Sequence, residues 1–294
     1  MICALLVSSL YPAIPTTQPR AIVFDLGGVL FESDISASLM LKQIGIKTLL
    51  LYILNPYASK KNLKKKIFAY LEKVKPRSIE QQAYPYIPTD EQHNPLPLLM
   101  EEWLAGSLSG HDILALIEKI VQNDHSFFGS HTEKEVILKI ISLIFDAHLF
   151  VKMQRLHPDA MEIIQLLKNN GFQIYALSNW DKTSFEILKK KYKVLFSLFD
   201  GIMISGVAGG TKPSPSFYEA FLDMYQLTPE SCIFVDDQRI NVLSARKVGM
   251  RAFVCPYTKS IYKKSRANLL LVSKTIQKMI KKIEQVENIL LAQV

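Results

Sequence analysis

The sequence predicts a doubly wound parallel α/β sheet interrupted by an inserted α-helical domain, and three observations carry that expectation. Short apolar runs of strand length recur along the chain, each closing on polar residues. Stretches with helical apolar spacing and glycine stops lie between them. From Phe31 to Val151 the strand pattern disappears and helix-like spacing alone remains, which reads as an insertion and not as part of the sheet.

The first strand candidate is residues 21–26, a continuous apolar run that delivers Asp25 and the pair Gly27-Gly28 to a turn. Residues 160–169 read as a helix stopped at Gly171, and residues 172–177 as the next strand, ending in Ser178-Asn179. A helix over 217–225 precedes a strand over 232–235, which ends in Asp236-Asp237. Residues 240–248 then form a helix stopped by Gly249, and residues 252–255 a further strand. Within the insertion, Ile113, Leu114, Leu116, Ile117 and Ile120 follow helical spacing, and a polar, proline-rich stretch over 75–97 splits it. The expected layout is an extension over 1–20, a core over 21–33 and 153–258, a helical insert over 34–152, and a basic helical segment over 259–294.

Composition narrows the function classes. A chain of 294 residues that is 49% hydrophobic and 21% charged has room for a full core plus an accessory domain, and disorder is not expected. Cys3, Cys232 and Cys255 lie far apart with no C-x-x-C pair, so neither a disulfide framework nor a zinc site is indicated, and a reducing, cytoplasmic setting fits. Residues 2–10 are apolar or small but lack a positive n-region, which makes a signal peptide the weaker reading beside an extra strand or a loose extension. The apolar stretches 44–54 and 136–151 are too short or too interrupted by Lys47, Lys139 and Asp146 to span a bilayer, so no transmembrane segment is expected. The net charge of +8 is matched by the eight Lys and Arg of residues 259–282, which contain no Asp or Glu. Beyond Tyr262 within that segment and Tyr257 just before it there is no aromatic platform, so a solvated helix face is preferred and no nucleic-acid partner is expected.

The candidate chemistry sits at the strand ends. In a doubly wound sheet ligands bind outside the carboxyl ends of the strands, which would bring Asp25, Ser178, Asp236 and Asp237 to one crevice. Lys212, in Gly209-Gly210-Thr211-Lys212-Pro213, lies in a loop whose glycines permit close backbone approach to a ligand. Each residue also has a structural reading: Asp25 as a turn residue, Ser178 as a helix cap, Lys212 as a solvated loop lysine, Asp236 as a partner for Arg239.

Taken in order, Asp-x-Gly-Gly-Val, Ser-Asn, Lys-Pro and Asp-Asp resemble the motifs of the haloacid dehalogenase-like (HAD) hydrolase superfamily, in the branch whose helical cap is inserted between the first and second motifs. The resemblance covers residues 21–33 and 153–257, and the cap matches in position and helical character. It implies a Rossmann-like core and hydrolysis of a small phosphorylated metabolite. Asp25 would be the nucleophile that forms an aspartyl-phosphate. Mg²⁺ would be held by Asp25, the Gly27 carbonyl and Asp237, with Asp236 acting through a metal-bound water. The Ser178 hydroxyl, the Asn179 backbone N–H and the Lys212 ammonium would bind the transferring group's oxygens. Asn241 would support the loop.

Gly27 departs from that pattern. Phosphatases of the family usually carry a second Asp there as proton donor, and haloacid dehalogenases a bulky aromatic. General acid-base groups contribute about 10²–10⁴-fold, so hydrolysis without this one is expected to be slower. Glu32 and Asp34 are the nearby substitutes. Trp180 and Asp181 would line the pocket mouth or pack, and Trp103, Gly106 and His111 fall where the cap would face the core. Two functions therefore stand at this stage: a Mg²⁺-dependent phosphatase, and a weakly active or inactive fold relative that binds a phosphorylated ligand or a protein partner.

Overall fold

Five parallel strands form the central sheet in the order β5-β4-β1-β6-β7: β1 is Ala21–Phe24, β4 Gln173–Ser178, β5 Gly201–Ile204, β6 Cys232–Asp236 and β7 Arg251–Val254. The structure is a computed structural model that describes residues 21–33, 60–90, 92–123 and 131–255, with single positions 42, 45, 46, 50 and 128 between them. The expectations for residues 1–20, for the basic segment 259–294 and for Asp34 lie outside the described residues.

Every residue of β1 is buried, because helices cover both faces of the sheet. Ile22 and Phe24 point to one face with Ile174, Ala176, Ile233 and Val235, under the helices Ala160–Asn169 and Lys182–Lys191. Ala21 and Val23 point to the other with Tyr175, Leu177 and Phe234, under the helices Pro215–Met224 and Arg239–Lys247. The strand period of two sorts these side chains onto the two faces.

β5 was not expected from the sequence. Only three apolar residues, Ile202, Met203 and Ile204, follow the turn-prone pair Asp200-Gly201, and pairing with β4 is what makes them a strand. The two-stranded sheet at the root of the insertion is a second correction. Phe31–Ser33 (β2) pairs antiparallel with Gln154–Leu156 (β3), where no convincing strand was expected from Phe31 onward. Two three-residue strands separated by the whole insertion leave no local period to read.

Over its described residues the insertion holds the helices Lys60–Val74, Ile79–Gln82, Leu98–Leu104, Gly110–Asn123, His131–Phe145 and Ala147–Met153, with non-helical backbone over 83–90 and 92–97. Gly110–Asn123 buries Ile113, Ile117 and Val121 at four-residue spacing, against Leu71, Leu99, Trp103, Ile137 and Ile141 of its neighbours. This cluster is separate from the two that flank the sheet. Aromatic rings join it to the core, since Phe150 meets Trp103 at 5.7 Å and Trp180 at 5.6 Å. The Ser205 hydroxyl also donates to the Leu104 carbonyl at 2.6 Å. Gly106, at φ +79°, approaches Gly206 so closely that a Cβ would overlap its carbonyl. Among the described residues no helix is long and apolar enough to cross a membrane.

Candidate active site

The strands β4, β1 and β6 are neighbours at the centre of the sheet, and their carboxyl ends carry Ser178, Asp25 and Asp236-Asp237. Phe24 lies opposite Ala176 on one side and Val235 on the other, so Asp25 and Asp236 leave adjacent strands at the same level. The Asp25 N–H donates to the Val235 carbonyl at 2.9 Å, which fixes the start of the turn. Chain order reverses its direction of growth at β1, the topological switch point where such sheets bind ligands.

Ligand oxygens of Asp25, Asp236 and Asp237 all lie within 4.8 Å of one another. The Lys212 ammonium faces them. Lys212 Nζ is 2.9 Å from Asp25 Oδ1 and 2.6 Å from Asp236 Oδ2, and its side chain is 1% exposed. Burial by itself would lower the Lys212 pKa, but Asp236 and Asp25 raise it above its ordinary value and keep it an ammonium. The reading of Lys212 as a solvated loop residue is therefore excluded. Its loop is held from the side by Asn179, whose amide donates to the Lys212 carbonyl and accepts from the Lys212 N–H, each at 2.8 Å.

Asp236 is fully buried and saturated with donors. Gln238 N–H reaches Oδ1 at 2.7 Å, and the Asn241 amide reaches both oxygens at 3.0 and 3.1 Å, so Arg239 is not needed as its partner. Burial pushes the carboxyl up to about 6 against the pull of Lys212. Asp237 has no such set of donors and is pushed up to about 8, first by burial and then by the charges of Asp25 and Asp236. Three carboxylates with one ammonium leave the cluster short of positive charge. Hard, acidic oxygens in excess suit a divalent cation such as Mg²⁺.

Both glycines of the turn have definite surroundings. Gly28 adopts φ +75°, and a Cβ there would overlap Asp237 Oδ2, so only glycine allows the turn and the carboxylate to coexist. A Cβ on Gly27 would meet a single atom within 4 Å, Cζ3 of Trp180 at 3.8 Å, and the backbone there is not left-handed. Among the described residues, the Cβ position of Gly27 therefore faces a carbon edge of Trp180. Trp180 is held in place by its Nε1, which donates to Ser184 Oγ at 2.9 Å, and by Ser184, which in turn donates to Asp181.

Other candidates resolve as follows. Ser178 is buried at the end of β4, and the cap of the following helix is Asp181, which accepts from the Ser184 N–H at 3.0 Å. Glu32 lies on β2 opposite Arg155. Trp103 packs in the insert against Phe145, and His111 is 92% exposed in its side chain. Cys232 and Cys255 are free and buried, and burial pushes their thiols up to about 11 and about 12, which disfavours the reactive thiolate in both. The side chains of Asn179 and Gln238 were missed as structural parts of the site; position beside Ser178 and Asp237 was the only signal available.

A family model for haloacid dehalogenase-like hydrolases matches residues 19–249. This chain belongs to that family. Among curated HAD relatives and their kin, the chain is 36% identical over 97 residues to sesquiterpene phosphatase astK of Aspergillus oryzae, a match covering 32% of this chain and 49% of that protein. It is 38% identical over 112 residues to drimenol cyclase drtB of Aspergillus calidoustus, covering 36% of this chain and 21% of that one. These matches thus span less than half of either relative's length. The fold resembles that of a 2-haloacid dehalogenase from Pseudomonas syringae pv. tomato DC3000, with a TM-score of 0.50, 13% identity, and coverage of 88% of this chain and 99% of that one. At that identity the likeness is one of fold alone. The HAD core and its helical insertion accordingly account for the parallel sheet and for the grouping of the acidic residues at its carboxyl edge.

Proposed function

We propose that this HAD member is a Mg²⁺-dependent hydrolase of a small phosphorylated metabolite, working through an aspartyl-phosphate on Asp25. The observation that carries the reading is the buried group of Asp25, Lys212, Asp236 and Asp237, in which one ammonium bridges two carboxylates and the third is left uncompensated. The activity for which the sesquiterpene phosphatase relative is named favours phosphate over halide chemistry, and so does Gly27, where dehalogenases have a bulky aromatic.

Asp25 Oδ1 already receives the Leu26 N–H at 2.8 Å and the Lys212 ammonium at 2.9 Å, so the attack on phosphorus is assigned to Oδ2. The new O–P bond forms as the bond from phosphorus to the leaving oxygen breaks, and water later cleaves the aspartyl-phosphate and restores the carboxylate. Lys212 has three donors, two of them spent on Asp25 and Asp236, and the third is the one directed to a phosphate oxygen. The Ser178 hydroxyl and the Asn179 N–H would complete the phosphate site. Asp25, the Gly27 carbonyl and Asp237 are the residues that would hold Mg²⁺, with Asp236 behind them through water. Bound there, Mg²⁺ would offset the charge of the phosphate and of the carboxylates.

Gly27 also favours a second reading, binding with little turnover, because neither it nor the Trp180 edge can protonate a leaving group. A phosphorylated-metabolite and aryl phosphate screen separates the two. The enzyme reading expects Mg²⁺-dependent turnover that Asp25→Asn abolishes. Equal turnover by the variant would sink it, and phosphate-dependent thermal stabilisation without any hydrolysis would favour the binding reading.

A further inference from the structure

The proline-rich stretch that splits the insert reaches the core at two points, and both adjoin the site. Tyr84 Oη lies 3.4 Å from Ser214 Oγ, two residues beyond Lys212. Thr89 Oγ1 donates to Gln238 Oε1 at 3.3 Å, one residue beyond Asp237. Lys212 bonds to both Asp25 and Asp236, so the loops that carry Ser214 and Gln238 are neighbours. The segment from Tyr84 to Thr89 therefore lies as a strap across them. It is anchored within the insert as well: Arg77 pairs with Glu101 at 2.6 Å, Lys64 with Asp90 at 2.8 Å, and Thr89 bridges to Pro95.

Between its two anchor points the strap presents Tyr84 and Tyr86, edge to face at 5.7 Å and 75°. Tyr84 stays 47% exposed. Pro85 and Pro88 restrict the backbone around the pair, so little conformational freedom remains to be lost when a ligand packs on it. A phosphate held by Lys212 would leave its organic group to extend toward this strap. We infer that Tyr84 and Tyr86 form the recognition surface for the organic group of the substrate, and that this group is a flat, aromatic carbon skeleton. The inference rests on the phosphate-ester reading of the crevice and adds the substrate class to it.

Calorimetric binding of phenylphosphonate and methylphosphonate in the presence of Mg²⁺ tests it, because neither can be hydrolysed as an ester. The wild-type protein is expected to favour phenylphosphonate by about fivefold, the scale of one aromatic contact. Tyr84→Ala, at an exposed position, and Tyr86→Ala, at a half-buried one, should bind the two ligands about equally, while Tyr84→Phe keeps the preference. No preference in the wild type, or its survival in the alanine variants, overturns the inference. So does a Tyr84→Phe variant that behaves like Tyr84→Ala, since the contact with Ser214 would then matter and not the ring. Turnover of phenyl phosphate by wild type and Asp25→Asn, measured in parallel, keeps the two readings apart. Asp25-dependent turnover without discrimination removes only the aromatic surface, and discrimination without turnover removes only the enzyme.

Discussion

Asn179 holds the main chain of Lys212 at both ends, donating from Nδ2 to its carbonyl and accepting at Oδ1 from its N–H, each at 2.8 Å. The lysine that bridges Asp25 and Asp236 is thus placed by a side chain from another strand end. Loss of this clamp acts on geometry and not on charge. Asn179→Ala is expected to reduce kcat about 10²-fold, the scale of an ångström-sized misplacement, and to cost about 2 kcal/mol of stability for two hydrogen bonds. Steady-state kinetics beside thermal unfolding would separate the two effects. A variant that loses stability yet retains its rate would show that Lys212 needs no such support.

Asp237 is the carboxylate with least compensation, pushed up to about 8 first by burial and then by the charges of Asp25 and Asp236. Asp237→Asn removes a buried ionisable group that burial and its neighbours disfavour, so the Mg²⁺-free protein should gain stability, by about 1 kcal/mol or 2–4 °C in Tm. The same change should weaken stabilisation by added Mg²⁺. A thermal-shift titration of both proteins checks the crossing, and a variant less stable without Mg²⁺ would contradict the crowding.

The two glycines of the turn should respond in opposite ways. Gly28→Ala places a methyl group in a left-handed backbone and against Asp237 Oδ2, so it is expected to cost about 1–2 kcal/mol from the backbone alone and to displace the carboxylate. Gly27→Asp meets only the Trp180 edge and should fold normally. As a restored acid it is expected to raise turnover of alkyl phosphates, whose leaving groups are strongly basic, by up to about 10²-fold and to leave activated aryl esters little changed. Rates on a matched alkyl and aryl pair decide the point; an equal change for both esters would rule out proton donation.

His157 predicts a pH effect on stability remote from the acidic cluster. It is buried, its Nε2 has no hydrogen-bond partner, and burial lowers its pKa below 6.5 against the smaller pull of Glu32 and Asp159. The unfolded chain then binds the proton more readily than the folded one. Stability from the neutral ring is complete above pH 6.5 and declines as pH falls below that value toward the lower folded pKa. Denaturant unfolding between neutral and mildly acidic pH should show this slope, and His157→Gln should flatten it.

Much of the core was legible because strand period and helix period are local properties. Asp25, Ser178 and Asp236-Asp237 each end a short apolar run, and a parallel sheet sends all such ends to one edge. The β2–β3 pair was not legible, since three-residue strands owe their existence to partners distant in the chain, and β5 is fixed by its pairing with β4. Asn179 shows the same limit at the site itself: its neighbourhood with Ser178 could be read, but not that its amide would grip Lys212.

The sequence by itself determined the order of the chemistry, from the aspartate after the first strand to the Lys-Pro loop and the paired aspartates, and with it the missing acid at Gly27. Those are matters of residue type and spacing. Only the tertiary structure decided that Lys212 is buried between Asp25 and Asp236, that Gly28 yields its space to Asp237, that the Trp180 edge is the neighbour of Gly27, and that the strap of Tyr84 to Thr89 crosses the loops beside the site. Each of these joins residues far apart in sequence. Burial, charge compensation and close packing act through space, and the chain reveals them only once it has folded.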